Sequence, residues 1–189
     1  MIHGTPQIFD ELQTIFIHVP KCGGTSIEKT LGGSKYGGHS FASTLKIKYK
    51  EIWESYYTFT IVREPFSRFA SGYNYLKQRN LNPALQNKNI LLSKDINDYI
   101  VNYFKTDNVL HMLPQYNFIT DNGEIIVDEV FKYEELEKSW KKILKKLNVP
   151  FKDLPHINKT KKYSIEYTKE SMDILYEYYK KDFELLHYY

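Results

Sequence analysis

The segment TIFIHVPKCGGTSIEKTL (residues 14–31) constrains the fold most, because an apolar run passes through a glycine pair into an amphipathic pattern. The β-branched run TIFIHV (14–19) is typical of a strand that is buried on both faces of a parallel sheet. The following GGTSIEKTL predicts a helix, with Thr25 or Ser26 as its N-cap and Glu28 placed for a capping box. A strand, a glycine turn and a helix in this order form a site that suits an anion.

A second segment of the same kind begins at YTFTIV (57–62), which predicts another strand. A helix is predicted to start near Pro65, because proline suits the first helical turn. The apolar residues that follow have the spacing of one helical stripe: Phe66, Phe69, Ala70 and Tyr73. Ligands collect at the carboxyl ends of parallel strands, so both turns are candidates for the same site.

The rest of the chain continues the alternation of strands and helices. Further predicted elements are a helix over 93–104, an Asn-Gly turn at Asn122–Gly123, a strand over 124–133, a helix with the stripe Leu136, Trp140, Ile143, Leu144 and Leu147, and a C-terminal helix with Met172, Leu175, Tyr176, Tyr179 and Phe183 on one side. Loops are predicted over 32–40, 77–89 and 151–164. This alternation predicts an α/β fold, with a central parallel sheet flanked by helices. We expect a single domain over residues 1–189, with 1–13 as an N-terminal extension.

Composition restricts the classes of function. The 189 residues include 26 basic and 23 acidic side chains, a net charge of +3, so the overall charge does not predict a nucleic-acid binder. Any bound anion therefore needs a local site. Cys22 is the only cysteine, so no intrachain disulfide can form. Neither a signal-peptide pattern nor a long apolar run is found, which predicts a cytoplasmic protein without a transmembrane segment.

The glycine turn carries groups that suit a phosphate. Gly23 and Gly24 allow close approach to the backbone, because they have no Cβ atoms. Lys21 supplies a positive charge, and the hydroxyls of Thr25 and Ser26 can donate hydrogen bonds. The lysine precedes the glycines, unlike the lysine of the G-x-x-x-x-G-K-[ST] loop that binds nucleoside triphosphates. An ordinary connection between a strand and a helix is the alternative interpretation.

The second turn adds Arg63 at the strand end and Ser71 two helical turns later. The planar guanidinium of Arg63 matches the geometry of a phosphate, and Ser71 offers one more donor. The alternative for Arg63 is a surface salt bridge with Glu64 or Asp128.

Together, HVPKCGGTSI and IVREPFSRFASGY resemble the sulfotransferases that use 3′-phosphoadenosine 5′-phosphosulfate (PAPS). The closer similarity is to the carbohydrate-type sulfotransferase family 2, in a short bacterial-like form. It continues through GGHSFAS, LPQYNFI, VFKYEEL, LPHINKT and YYKKDFELLHY, and so covers roughly residues 14–189. The resemblance implies a sulfotransferase fold related to P-loop nucleotide kinases. It also implies sulfuryl transfer without a metal, to a hydroxyl group on a carbohydrate or a small molecule.

The resemblance implies roles for individual residues of the donor site. Those that bind the 5′-phosphosulfate are Lys21, Cys22, Gly23, Gly24, Thr25 and Ser26. Lys21 would also stabilise the leaving phosphate. Relatives commonly carry Thr or Ala in place of Cys22, so we expect its backbone N–H to act, with an activated thiol as the alternative. Those that bind the 3′-phosphate are Arg63 and Ser71, while Lys161 and Lys162 resemble a basic loop that covers the 3′-phosphate or the adenine in relatives. For the two lysines, a solvated charge run is the alternative.

A general base is expected to accept the proton of the acceptor hydroxyl. The resemblance assigns this role to His39, which lies in a glycine-rich loop between the two phosphate-binding stretches. His111 and His156 are alternatives that could line the acceptor side, whereas His18 is expected to be packed in the interior.

Two other classes of function stay open at this stage. A small nucleotide kinase would share the α/β sheet, although the lysine after the glycines is missing. A non-catalytic nucleotide-binding module would keep the loops without the chemistry.

Overall fold

The structure is a computed structural model that describes residues 5–32, 38–79, 88–155 and 165–188. The predicted site residues Lys161 and Lys162 and the alternative base His156 lie outside the described residues. The described residues form two compact units, one from within 1–63 and 115–158 and one from within 64–114 and 159–189. The single-domain organisation stays a prediction.

Short strands and helices make up most of the described residues. The strands are β1 Ile8–Phe9, β2 Thr14–Ile17, β3 Tyr57–Val62, β4 Thr120–Asp121, β5 Glu124–Ile125 and β6 Glu129–Lys132. The α-helices are α1 Gly24–Thr30, α2 Ala42–Lys48, α3 Lys50–Ser55, α4 Pro65–Arg79, α5 Lys88–Leu92, α6 Ile96–Asn102, α7 Tyr116–Ile119, α8 Leu136–Lys146, α9 Lys169–Tyr178 and α10 Lys180–Leu185. Turns of 3₁₀-helix cover Asp10–Leu12, Phe104–Thr106, Leu110–Met112 and Tyr133–Glu135. Among the helices of the described residues, none has the length and hydrophobicity that crossing a bilayer requires.

The first unit contains a four-stranded sheet in the order β1-β2-β3-β6. Strands β2, β3 and β6 are parallel, as predicted, but β1 pairs antiparallel with β2 and makes the sheet mixed. The reason is the short connection after β1, where Gln13 has a left-handed backbone and donates its N–H to the Asp10 carbonyl. Such a tight reversal permits only antiparallel pairing, because a parallel pair needs a long crossover. The predicted N-terminal extension therefore contributes an edge strand.

The predicted strand over 124–133 is wrong as a single element, because it divides into β5 and β6 of two different sheets. The Asn122–Gly123 turn is confirmed: both residues have positive φ, as a two-residue type I′ hairpin between β4 and β5 requires. The chain then bends at Asp128, whose carboxylate accepts hydrogen bonds from the N–H and hydroxyl of Thr58. These bonds anchor the start of β6 beside β3.

The predicted apolar stripes of α8 and of the C-terminal helix differ in how far the structure buries them. Helix α8 buries Trp140, Ile143 and Leu144, which confirms its predicted stripe. The predicted C-terminal helix is instead two helices that meet at Tyr179, and its predicted stripe is partly wrong because Met172 is 41% exposed. Tyr176 is also exposed. The buried line in the second unit runs at steps of three or four residues through Ser171, Leu175, Tyr179 and Asp182.

A buried arginine organises the second unit. Arg68 is fully buried and donates to the carbonyls of His111 and Leu113. Its guanidinium lies 5.5 Å from the ring centroid of Tyr179, whose hydroxyl donates to the Met112 carbonyl at 2.6 Å. Burial raises the pKa of Tyr179, so the phenol keeps the proton that it donates. Three successive carbonyls are thus fixed by two side chains.

Candidate functional site

The loop between β2 and α1 is shaped by two residues with left-handed backbones. Lys21 has φ +68° and Gly23 has φ +80°. Gly23 is the N-cap of α1, and no described side chain caps this helix, so the predicted N-caps Thr25 and Ser26 are wrong. The left-handed N-cap turns the chain without a serine or threonine, and Ser26 donates its N–H to the Gly23 carbonyl. Helix α1 therefore begins at a glycine turn and not at a serine or threonine cap.

The residue after the N-cap is a glycine because His18 lies against it. A Cβ atom at Gly24 would come within 2.8 Å of His18 Cγ and nearer still to two other ring atoms. His18 Nδ1 lies 2.9 Å from Glu28 Oε1, and both side chains are buried. The predicted packing of His18 is confirmed, whereas the capping-box role of Glu28 is wrong because this carboxylate holds the imidazole. The pair fixes the ring that occupies the space of a Cβ.

His39 lies beside the same imidazole. The ring centroids of His18 and His39 are 4.4 Å apart in an edge-to-face arrangement, and His39 Nδ1 lies 2.9 Å from the His18 main-chain oxygen. A carbonyl oxygen only accepts, so Nδ1 carries the proton of this hydrogen bond. In a neutral His39, Nε2 is then the ring nitrogen that carries the lone pair.

Arg63 follows the end of β3 and reaches the glycine loop. Its Nη1 lies 3.4 Å from the Lys21 carbonyl oxygen, and its guanidinium carbon lies 4.6 Å from the ring centroid of Tyr133. Asp128 was one of the salt-bridge partners that the sequence suggested for Arg63. Its carboxylate instead accepts hydrogen bonds from Thr58. The structure thus brings together Lys21 and Arg63, two predicted site residues from different strand ends.

Sequence reasoning gave no role to Gln115, which connects these two segments. Its side chain is fully buried, and its amide bonds both to the main chain of Arg63 and to the thiol of Cys22. The one signal for it was the motif LPQYNFI, which was part of the resemblance only. Gln115 lies 52 residues from Arg63, so no local pattern connects the two.

A cavity of about 540 Å³ opens beside the start of α1. Gly23 and Ser26 form its loop side. Its other lining residues are Tyr133, Leu136, Glu137, Trp140, Lys141, Phe151, Asp153, Leu154 and Pro155. Three aromatic rings thus line a space that adjoins the predicted phosphate loop, and such walls suit a flat organic group.

The remaining predicted residues lie in the second unit. Ser71 is half-buried on α4. His111 is half-buried in a 3₁₀ turn, with its ring centroid 5.3 Å from that of Tyr75. Across 5–32, 38–79, 88–155 and 165–188, no group of three or more His, Cys, Asp or Glu side chains is placed to hold a metal ion.

The chain belongs to the Sulfotransferase family, whose sequence model matches residues 7–189. This match confirms the resemblance and supports sulfotransfer as the activity. An uncharacterized protein of Archaeoglobus fulgidus is 30% identical over 101 residues, which are 53% of this chain and 75% of that protein. No solved structure gives a significant match.

Proposed function

We propose that this sulfotransferase uses PAPS as its donor and sulfates a hydroxyl group on a carbohydrate or a small molecule. The observation that carries the proposal is the 3.4 Å contact between Arg63 Nη1 and the Lys21 carbonyl. It joins a strand-end guanidinium to the glycine loop, although the two residues are 42 positions apart. A donor with two separate phosphate groups needs a group that attracts an anion at each of them, and here these groups are the glycine loop and the Arg63 guanidinium.

The residues of the glycine loop fit a phosphosulfate. Gly23 has no Cβ, and a Cβ there would lie 3.1 Å from a ring carbon of Tyr133, so glycine keeps this approach open. We assign the 5′-phosphosulfate to the main-chain N–H groups of the loop, together with the hydroxyls of Thr25 and Ser26. Lys21 holds a left-handed backbone without being glycine, a strained conformation of the kind found at functional sites.

The other parts of the donor are assigned to neighbouring groups. Arg63 binds the 3′-phosphate, and the cavity lined by Tyr133, Trp140 and Phe151 takes the adenine. Ser71 stays a prediction for the 3′-phosphate, and Lys161 and Lys162 stay predictions for the 3′-phosphate or the adenine. All three rest on the sequence.

We assign the two charge and proton steps of sulfuryl transfer to two side chains, Lys21 and His39. When bound, the donor supplies a sulfuryl group whose departure leaves negative charge on a phosphate oxygen. Lys21 neutralises this charge, as preorganised cations do in related group transfers. His39 accepts the proton of the acceptor hydroxyl at Nε2, because Nδ1 is engaged by the His18 carbonyl. The buried Glu28 carboxylate holds the His18 ring against which His39 packs.

Calorimetric titration without metal tests the donor assignment. Adenosine 3′,5′-bisphosphate should bind tightly and ADP weakly, because only the first carries a 3′-phosphate. Equal binding of the two, or none, would overturn the proposal and favour a kinase or a non-catalytic module. Phosphate transfer from ATP with Mg²⁺ would identify the kinase. Transfer of isotope-labelled sulfate from PAPS to a panel of glycans and small alcohols would exclude the non-catalytic module.

Replacing the proposed base separates binding from turnover. His39→Ala should keep the affinity for adenosine 3′,5′-bisphosphate, while turnover on an identified acceptor falls by about 10²–10⁴-fold. His111→Ala is the matched variant, because His111 is the alternative base within the described residues. If His111→Ala has the large effect and His39→Ala does not, the two roles are exchanged.

A further inference from the structure

We propose that Gln115 is a positioning residue that sets the distance between the glycine loop and Arg63, so that one nucleotide can engage both. This inference rests on the proposed PAPS site. It assigns to a single buried amide the alignment of the two phosphate-binding segments.

The amide of Gln115 holds the main chain of Arg63 at two points. Its Oε1 accepts the Arg63 N–H at 2.8 Å, and its Nε2 donates to the Arg63 carbonyl at 2.7 Å. The pair copies the two hydrogen bonds that a neighbouring strand would exchange with this residue. Arg63 lies one residue beyond β3, where the regular ladder has ended. Gln115 therefore fixes the backbone from which the guanidinium extends.

The same amide oxygen also faces the glycine loop. Cys22 Sγ lies 3.4 Å from Gln115 Oε1 and 3.6 Å from the Pro20 carbonyl, so its one thiol proton can be directed to either oxygen. Cys22 is only 1% exposed, and its neighbours in the chain are the predicted phosphate ligands Lys21 and Gly23. One side chain thus contacts both proposed segments of the donor site, which are 42 residues apart between Lys21 and Arg63.

A second buried glutamine in the same unit shows what a merely structural amide does. Gln7 is also fully buried, donates to the carbonyls of Phe16 and Ser40, and accepts the Ser40 N–H. None of these partners is a proposed donor ligand. Gln7→Met is therefore a matched control that loses a comparable set of hydrogen bonds.

The test compares two nucleotides rather than one. Calorimetry gives the ratio of the Kd of adenosine 5′-monophosphate to that of adenosine 3′,5′-bisphosphate, which measures the advantage of engaging the second phosphate. In Gln115→Met this ratio should fall about tenfold, with the affinity for the monophosphate changed less than about threefold. A structural role would weaken both nucleotides alike and leave the ratio unchanged, as expected for Gln7→Met.

Two further variants can test the inference if Gln115→Met does not fold. Gln115→Asn retains an amide but is one methylene shorter, so it cannot hold both segments and should also lower the ratio. Cys22→Ala removes the thiol contacts with Gln115 and with the Pro20 carbonyl but leaves the hydrogen bonds of Gln115 to Arg63, and it should lower the ratio about threefold. In the double variant of Cys22→Ala and Gln115→Met, the loss should be smaller than the product of the single losses, because both remove the same contact.

The outcomes separate this inference from the proposed function. A wild-type protein that does not prefer the bisphosphate contradicts the PAPS site itself. If the wild type has this preference and both Gln115→Asn and Cys22→Ala keep the full ratio, the PAPS site stands and the positioning role is overturned. A lowered ratio in these variants, with Gln7→Met unchanged, supports the inference.

Discussion

The two connections from a parallel strand into a helix, β2 to α1 and β3 to α4, look alike in the sequence but start their helices differently. At α1 the N-cap is Gly23 with a left-handed backbone, and no described side chain caps the first turn. At α4 the Glu64 carboxylate accepts the N–H groups of Phe66 and Ser67, at 2.9 and 2.7 Å. The first N–H groups of α4 are therefore already hydrogen-bonded to a carboxylate of the protein itself, that of Glu64.

This difference indicates how the two connections divide the binding of a ligand. A helix start that is capped by its own carboxylate cannot offer the same N–H groups to a phosphate. We therefore expect the first connection to offer main-chain N–H groups to the ligand, whereas the second contributes through side chains, above all that of Arg63. The repeated pattern in the sequence does not imply two equivalent anion sites.

Gly24→Ala should have the largest effect, because its Cβ would enter the space that the His18 ring occupies beside the glycine loop. The new Cβ would overlap the His18 ring, which Glu28 holds in place, so we expect the free energy of unfolding to fall by about 1–3 kcal/mol and nucleotide binding to be lost. Urea denaturation and calorimetry measure the two effects.

Gly32→Ala is the control, since Gly32 has φ +91° but no atom of the described residues within 4 Å of its Cβ position. It should lose about 1–2 kcal/mol from backbone strain alone and keep nucleotide binding. A Gly24→Ala protein that binds like the wild type would show that His18 can move aside.

Arg63→Ala should have the next largest effect, which should be confined to the binding of nucleotides that carry a 3′-phosphate. Loss of a charge-assisted contact worth about 1.5–3 kcal/mol should weaken adenosine 3′,5′-bisphosphate by roughly 10- to 100-fold. Calorimetry with adenosine 5′-monophosphate should show little change. Arg63→Lys should lie between, because an ammonium group lacks the planar fork. Unchanged affinity in folded Arg63→Ala would contradict the 3′-phosphate assignment.

Glu64→Ala should have the smallest effect on binding, although it lies next to Arg63 in the chain. Loss of the N-cap should lower the free energy of unfolding by about 1 kcal/mol, which thermal denaturation can measure. The affinity for the bisphosphate should change less than about threefold, since a partly exposed charge has a weak influence. If Glu64→Ala loses as much affinity as Arg63→Ala, the proposed division between the two connections is wrong.

Much of the fold could be predicted because its signals are local. The bounds of β3 and the start of α4 follow from an apolar run and a proline, and the Asn122–Gly123 hairpin follows from two residues that accept positive φ. The stripe of α8 was equally clear. Each of these features depends on residues that are close in the sequence, within about one or two helical turns.

Other features depend on distant partners, and the sequence did not reveal them. The break in the predicted strand 124–133 requires Thr58 to meet Asp128, which lies 70 residues away. Gln115 and Cys22 are 93 residues apart. The predicted caps Thr25 and Ser26 failed because a left-handed glycine replaced them and the Glu28 carboxylate was taken by His18. Local propensity gives way where tertiary contacts compete with it.

The contact between Gly24 and His18 also has a consequence for how such sequences can diverge. Because the imidazole fills the volume of the missing Cβ, the two positions share one space and cannot change independently. A side chain at position 24 would be tolerated only with a smaller residue at position 18, and Glu28 would then lose the partner that explains its burial. Positions 18, 24 and 28 should therefore covary during evolution, as a three-residue unit within the glycine loop.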